Sequence, residues 1–313
     1  MSTATIAIPL LLVVGGLLAV QAAANVQLAT AMGNPMAAST LQLAIGASVL
    51  LVLALVVGTI GALHLVPGVT PWHLVGGIAS ALYITAGIML FPRLGAVVTV
   101  GLFITGQMLA SLVLDGLGIL GIEAKHLSVV TFIGLAAVLV GAFIIVRAQG
   151  GVAQLQKAAS QNQLPWMLFA LIAGAGLPIQ GAINAQLRLD LNAPITVAAF
   201  SFIVATASMA LVLIFRQAVS SAPAPKVAPL RQVPWWGWVG GFVGASYVTS
   251  VFLLIPVIGT APTVALTVAG QQIASLIVDR YGLLRLPKRP ISLLRLGGVA
   301  LLLIGVVLLL LIG

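Results

Sequence analysis

The chain has 313 residues, of which 61% are hydrophobic and 5% charged, with 13 Lys and Arg against 4 Asp and Glu. Soluble domains carry about a quarter charged residues. Water does not solvate a surface this poor in charge, so a soluble enzyme and a nucleic-acid binder are both excluded. The net charge of +9 reflects scarce acids, and the bases lie scattered between apolar runs, not gathered in a patch. A lipid bilayer is the solvent that fits. Cysteine is absent, which removes disulfides, thiolate metal sites and a cysteine nucleophile.

A spanning helix needs about 20 apolar residues. Runs of that kind fall near 5–30, 36–57, 72–91, 95–115, 127–147, 165–187, 195–215, 235–255, 260–279 and 292–312. They predict an all-α integral membrane protein of ten transmembrane helices. The runs are continuous instead of alternating, which argues against a β-barrel. No Lys or Arg precedes the first run, and its pattern returns inside the chain, so it reads as a retained helix and not a signal peptide. The longest polar breaks are 148–164, with Lys157, and 217–234, with Pro223, Pro225 and Pro229.

The first helix carries QAAANVQL at 21–28, and QGAINAQL returns at 180–187, a spacing of 159 that also links Pro35 to Pro194. From Gly76 onward the spacing becomes 164. At that spacing Tyr83, Pro92, Gly95, Gln107, Ser111, Asp115 and Gly118 meet Tyr247, Pro256, Gly259, Gln271, Ser275, Asp279 and Gly282. Gly134 and Gly141 meet Gly298 and Gly305 in the same register. The pattern is a tandem duplication. It divides the chain into a first five-helix repeat at 1–150, a linker at 151–164 and a second five-helix repeat at 165–313. Five is odd, so the two copies are expected to enter the membrane in opposite senses, as an inverted repeat.

Assigning alternate loops to two faces leaves only Lys125 and Arg188 on one, with the remaining bases, Arg93 through Arg295, on the other. The positive-inside rule makes the base-rich face cytoplasmic and puts both termini outside. The cluster at 280–295 reads first as a topology determinant, with lipid head groups as the alternative contact.

Each repeat therefore has a Q-x-x-x-N-x-x-L first helix and a G-Q-x-x-x-S-x-x-x-D fourth helix. This arrangement resembles the YdcZ-like family of the drug/metabolite transporter superfamily, in its fused two-copy form. The resemblance implies small-molecule transport, in the direction of efflux, across a bacterial inner membrane. It supplies no established coupling residues. Small multidrug-resistance proteins, distant members of the superfamily, use a first-helix glutamate; here the corresponding helices hold Gln21, Asn25, Gln180 and Asn184 and no carboxylate.

Four-residue spacing places Gln21 with Asn25, and Gln180 with Asn184, on one helix face each. Such amides either bond across helices or line a cavity at the repeat interface. Gln107, Ser111 and Asp115 form a polar stripe, repeated by Gln271, Ser275 and Asp279, that should face protein or a water-filled path. Gln107 and Gln271 are the deeper members, while the two aspartates lie near helix ends. Tyr83 and Tyr247 fall well inside their spans, as packing residues or as an aromatic wall. The tryptophans read as interface anchors. His64, His73 and His126 lack metal-ligand spacing and are expected to be exposed.

The expected function is a secondary active transporter of small metabolites or drug-like molecules, working as an exporter by alternating access. Gln21, Asn25, Tyr83, Gln107, Gln180, Asn184, Tyr247 and Gln271 are the expected substrate-binding residues. No catalytic group, metal or cofactor is expected, since no phosphate-binding loop or triad occurs. The partners are a small-molecule substrate and the bilayer. A monomer would suffice, with a homodimer left open. The rival readings are a membrane scaffold and a lipid-handling flippase. No acid lies at the centre of a span, so a neutral, zwitterionic or weakly polar solute is favoured over a quaternary cation.

Overall fold

The computed structural model describes residues 3–219, 224–285, 288 and 290–311. Pro223 of the second polar break and Arg289 of the basic cluster at 280–295 lie outside those residues. Ten helices are long and apolar enough to cross a membrane, and no strand occurs among the described residues. The first repeat holds α1 Thr3–Met32, α2 Pro35–Val56, α3 Gly76–Leu94, α4 Ala96–Leu117 and α5 Val129–Ala148. A short helix, α6 Gly151–Ser160, follows. The second repeat holds α7 Leu164–Leu191, α8 Pro194–Val219, α9 Gly240–Ile258, α10 Thr260–Tyr281 and α11 Leu293–Leu310. In hydrocarbon a backbone must satisfy its own polar groups, and helices do so along the whole span.

Helix ends fall where local chemistry requires. Asn34 caps α2, its side chain accepting from the Ala37 amide at 3.0 Å, with Pro35 in the first turn. Ser128 forms a capping box with Thr131 on α5, and its repeat mate Ser292 accepts from the Arg295 amide at 3.2 Å on α11. Gly118 and Gly282 close α4 and α10 in the left-handed conformation.

Three segments differ from the sequence expectation. The polar break at 148–164 contains α6, because Leu155 and Ala158 dock on Leu94 and Val98 while the Gln and Lys side chains stay in water. The spans expected to start at 72 and 235 instead begin with single 3₁₀ turns, Pro71–Val75 and Trp235–Trp238, before α3 and α9.

The most extensive helix contacts all cross between the repeats. The first helix of each copy lies against the third and fourth of the other: α1 on α9 and α10, α7 on α3 and α4. The second helices pair as α2 with α8, and the fifth as α5 with α11. Exchanging the two repeats maps this set of contacts onto itself. Small residues permit the crossings. A Cβ on Gly106 would lie 2.0 Å from the Leu171 carbonyl oxygen, and one on Gly270 would lie 2.1 Å from that of Leu12.

Contacts between loops respect the two faces. On the base-poor face, Gln186 donates to the Gly121 carbonyl at 2.9 Å, Thr196 to that of Thr59 at 2.8 Å, and Lys125 to that of Ile258 at 3.0 Å. On the base-rich face, the Lys226 amide donates to the Met32 carbonyl at 3.0 Å. His73 departs from the expected exposure: it is 9% exposed and hydrogen-bonds Asp190, also on the base-poor face. A carboxylate brought close by folding makes burial of the ring affordable.

Candidate functional site

A cleft of about 260 Å³ lies between α1, α4, α5 and α10. Its walls are small and apolar, with Ala19 and Ala22 from α1 and Ala96 to Ile104 from α4. Its polar edge is Gln271, Gln272, Ser275 and Asp279 of α10, with Gln149 after α5. These stretches are the ends of α4, α5 and α10 that lead to the base-rich loops, so the cleft faces that side. Its size is near the lower end of small-molecule sites.

The mates of these residues in the other repeat are packed shut. Thr260, Ala261 and Val264 of α10 are buried where the more exposed Ala96, Val97 and Val100 line the cleft. Gln107, Ser111 and Asp115 of α4 are buried where Gln271, Ser275 and Asp279 line it. The cleft thus borders the base-rich ends of these helices, while equivalent positions in the other repeat are buried.

The two aspartates mark that difference. Asp115 is 3% exposed, and its carboxylate accepts from the Thr260 amide at 2.8 Å and the Ala261 amide at 2.7 Å, capping α10. A carboxylate there meets both the free donors and the positive end of the helix dipole. Asp279 instead pairs with Arg295 at 2.7 Å, and Arg295 also donates to Ser275 at 2.9 Å. Arg295 is 3% exposed in the first turn of α11, deeper than a loop base would lie.

The paired amides separate into two unequal clusters. Gln180 and Asn184 are 2% and 1% exposed. Ser80 donates to Gln180 at 2.7 Å, Asn184 donates to Ser201 at 3.0 Å, and Gln180 reaches the same hydroxyl at 3.4 Å. These amides are sealed between α3, α7 and α8, with the Asn184 oxygen buried without a hydrogen-bond partner. Their mates Gln21 and Asn25 are half-buried and line a void of about 10 Å³ with Ser39, Gln42 and Phe202. Such a void admits about one water. Gln42, the mate of Ser201, donates to the Gly237 carbonyl at 2.9 Å, leaving its own oxygen and that of Asn25 buried without a partner.

The clusters sit at different depths. Asn184 approaches Gly76 at the base-poor start of α3, whereas Gln42 approaches Gly240 at the base-rich start of α9. Tyr83 packs on Phe103 with ring centroids 4.5 Å apart, and Tyr247 is a neighbour of both Tyr83 and Thr267. Of the eight expected residues, Gln271 lines the large cleft, Gln21 and Asn25 line the small void, and the others are packed. Gln272, Gln149, Ser39, Gln42, Ser80, Ser201 and Arg295 were not expected. A signal existed for Ser39 and Gln42, two polar residues three apart inside an apolar span.

A family model described as "Putative inner membrane exporter, YdcZ" matches residues 6–144 and again 165–308. No curated protein matches the chain. A crystal structure of a protein 15% identical superposes with a TM-score of 0.64, covering 99% of this chain and 98% of that one. At that identity the likeness concerns the fold.

Proposed function

Because the chain belongs to the YdcZ inner membrane exporter family, we propose that it is a secondary active exporter of small metabolites or drug-like molecules, working by alternating access. The observation that carries this reading is the one-sided cleft, open between α4 and α10 on the base-rich side and packed shut at the mates of the same residues. Inverted repeats exchange such asymmetry by rocking one half against the other. On this reading the base-rich face is cytoplasmic, residues 1–150 and 165–313 are the moving halves, and both termini lie outside.

Gln271 meets the solute in the present state. Gln107, its mate, takes that place when the opposite cleft opens, and the clusters Gln21 with Asn25 and Gln180 with Asn184 open and seal in turn. Tyr83 and Tyr247 stand between them as an aromatic wall. The solute is neutral, zwitterionic or weakly polar: Asp279 is already neutralised by Arg295, and no other carboxylate borders the cleft. A fixed cation in a low-dielectric site needs an unengaged anion.

The test is transport by the purified protein in liposomes against a metabolite panel, with and without a pH gradient. Saturable movement of a neutral or zwitterionic member is expected. Movement of none, or robust uptake of a quaternary ammonium dye alone, would contradict the reading.

A further inference from the structure

Asp115 and Asp279 stand at equivalent positions of α4 and α10, yet only one of them caps a helix. The helix starts they face are equivalent too. Gly95 and Gly259 precede α4 and α10 with nearly the same backbone conformation, φ 80° and ψ 150° against φ 97° and ψ 163°. A positive φ with extended ψ is a glycine conformation. Before α10 it presents the first amides to Asp115 of α4, and before α4 it leaves Gly95 beside the Gln154 side chain.

On the base-poor face the turn is occupied: Asp115 holds the amides of Thr260 and Ala261, both buried. On the base-rich face the mates of those residues, Ala96 and Val97, border the cleft together with Asp279, and Gly95 provides no side-chain cap.

We propose that Asp115 and Asp279 are the two gate residues of the transport cycle, each sealing one face by capping the helix start opposite it. This deepens the exporter reading and rests on it. In the present state Asp115 closes the base-poor face, and Arg295 holds Asp279 away from α4. In the other state Asp115 releases Thr260 and Ala261, and Asp279 exchanges Arg295 for the amides of Ala96 and Val97. Arg295 has no basic counterpart, since its mate is Thr131. Its pairing with Asp279 therefore biases the resting protein toward the base-rich-open state. Asp279 is thereby partnered in both states, by Arg295 in one and by the helix amides in the other.

The chain contains no cysteine, so spin-label pairs can be introduced without background. R93C with Y281C spans the base-rich gate, and its repeat mate, V257C with L117C, spans the base-poor gate. All four positions are exposed. Double electron–electron resonance on the full chain in liposomes reads both gates. D115N removes charge-assisted bonds made only in the present state, and R295Q frees Asp279. Both variants should shorten the 93–281 distance and lengthen the 117–257 distance, by a population shift of roughly tenfold, the scale of losing one such bond. R280Q, an exposed neighbour, should move neither.

If D115N does not fold, R295Q carries the test. Folded variants whose two distance distributions match the parent would overturn the proposal. Transport by the parent in the same liposomes tests the exporter reading separately. Opposed shifts without transport keep the gates and remove the exporter; transport with unmoved distances does the reverse.

Discussion

Ser80 and Gly244 occupy equivalent positions of α3 and α9, and only Ser80 carries a hydroxyl that bonds the amide cluster beside it. Ser80 donates to Gln180 and fills the space beside it. At Gly244 a Cβ would lie 2.7 Å from the Gln21 side-chain nitrogen, the movable end of a flexible chain.

G244S should therefore copy the sealed arrangement around Gln21 and Asn25. One new buried hydrogen bond contributes about 1 kcal/mol, so the melting temperature should hold or rise. Transport should fall several-fold if the void belongs to the solute path. Thermal unfolding and liposome flux measured on the same preparation decide it; undiminished flux would place the void outside the path.

Ser201 is the common partner of Gln180 and Asn184. S201A leaves two buried amides short of that partner and should cost about 1–3 kcal/mol. A clear fall in the thermal midpoint in detergent is expected, and an unchanged midpoint would contradict the network.

Neighbouring glycines of α11 provide an internal control. A Cβ on Gly298 would lie 2.9 Å from the Gly141 carbonyl oxygen, while one on Gly297 meets nothing within 4 Å. G298A should destabilise by about 1–3 kcal/mol through overpacking of the α5–α11 crossing. G297A should be neutral or stabilising by up to about 1 kcal/mol, since Ala is the better helix former. Equal effects of the two substitutions would refute the close crossing.

The ten spans were legible because each is a long apolar run, and the duplication because Gln, Asn, Pro and Gly positions recur at fixed spacing. The crosswise pairing of the repeats was not. Helices apolar on all sides give no stripe that distinguishes a lipid face from a protein face. The cleft was hidden for a related reason: its walls are Ala19, Ala22, Ala96 and Gly101, residues that carry no chemical signature. Amides showed where polar groups lie within the spans, but not how each cluster is bonded, since that turns on neighbours that differ between the repeats, Ser80 against Gly244 and Ser201 against Gln42. His73 looked exposed because Asp190, its partner, is 117 residues away in sequence. Asp115 and Asp279 occupy matching positions in sequence; their different partners, two helix amides for one and Arg295 for the other, arise only in the fold.

The central claim, that equivalent halves of one chain open in turn to opposite faces, is tested most directly by two-sided labelling of V100C and V264C. Val100 lines the cleft and its mate Val264 is buried. A membrane-impermeant maleimide should reach V100C from the base-rich side only, and should not reach V264C in the resting protein. With a transported panel compound present, V264C should become reactive from the base-poor side while V100C is protected. Reaction of both positions from one face, or a V264C that stays silent while transport runs, would contradict the account.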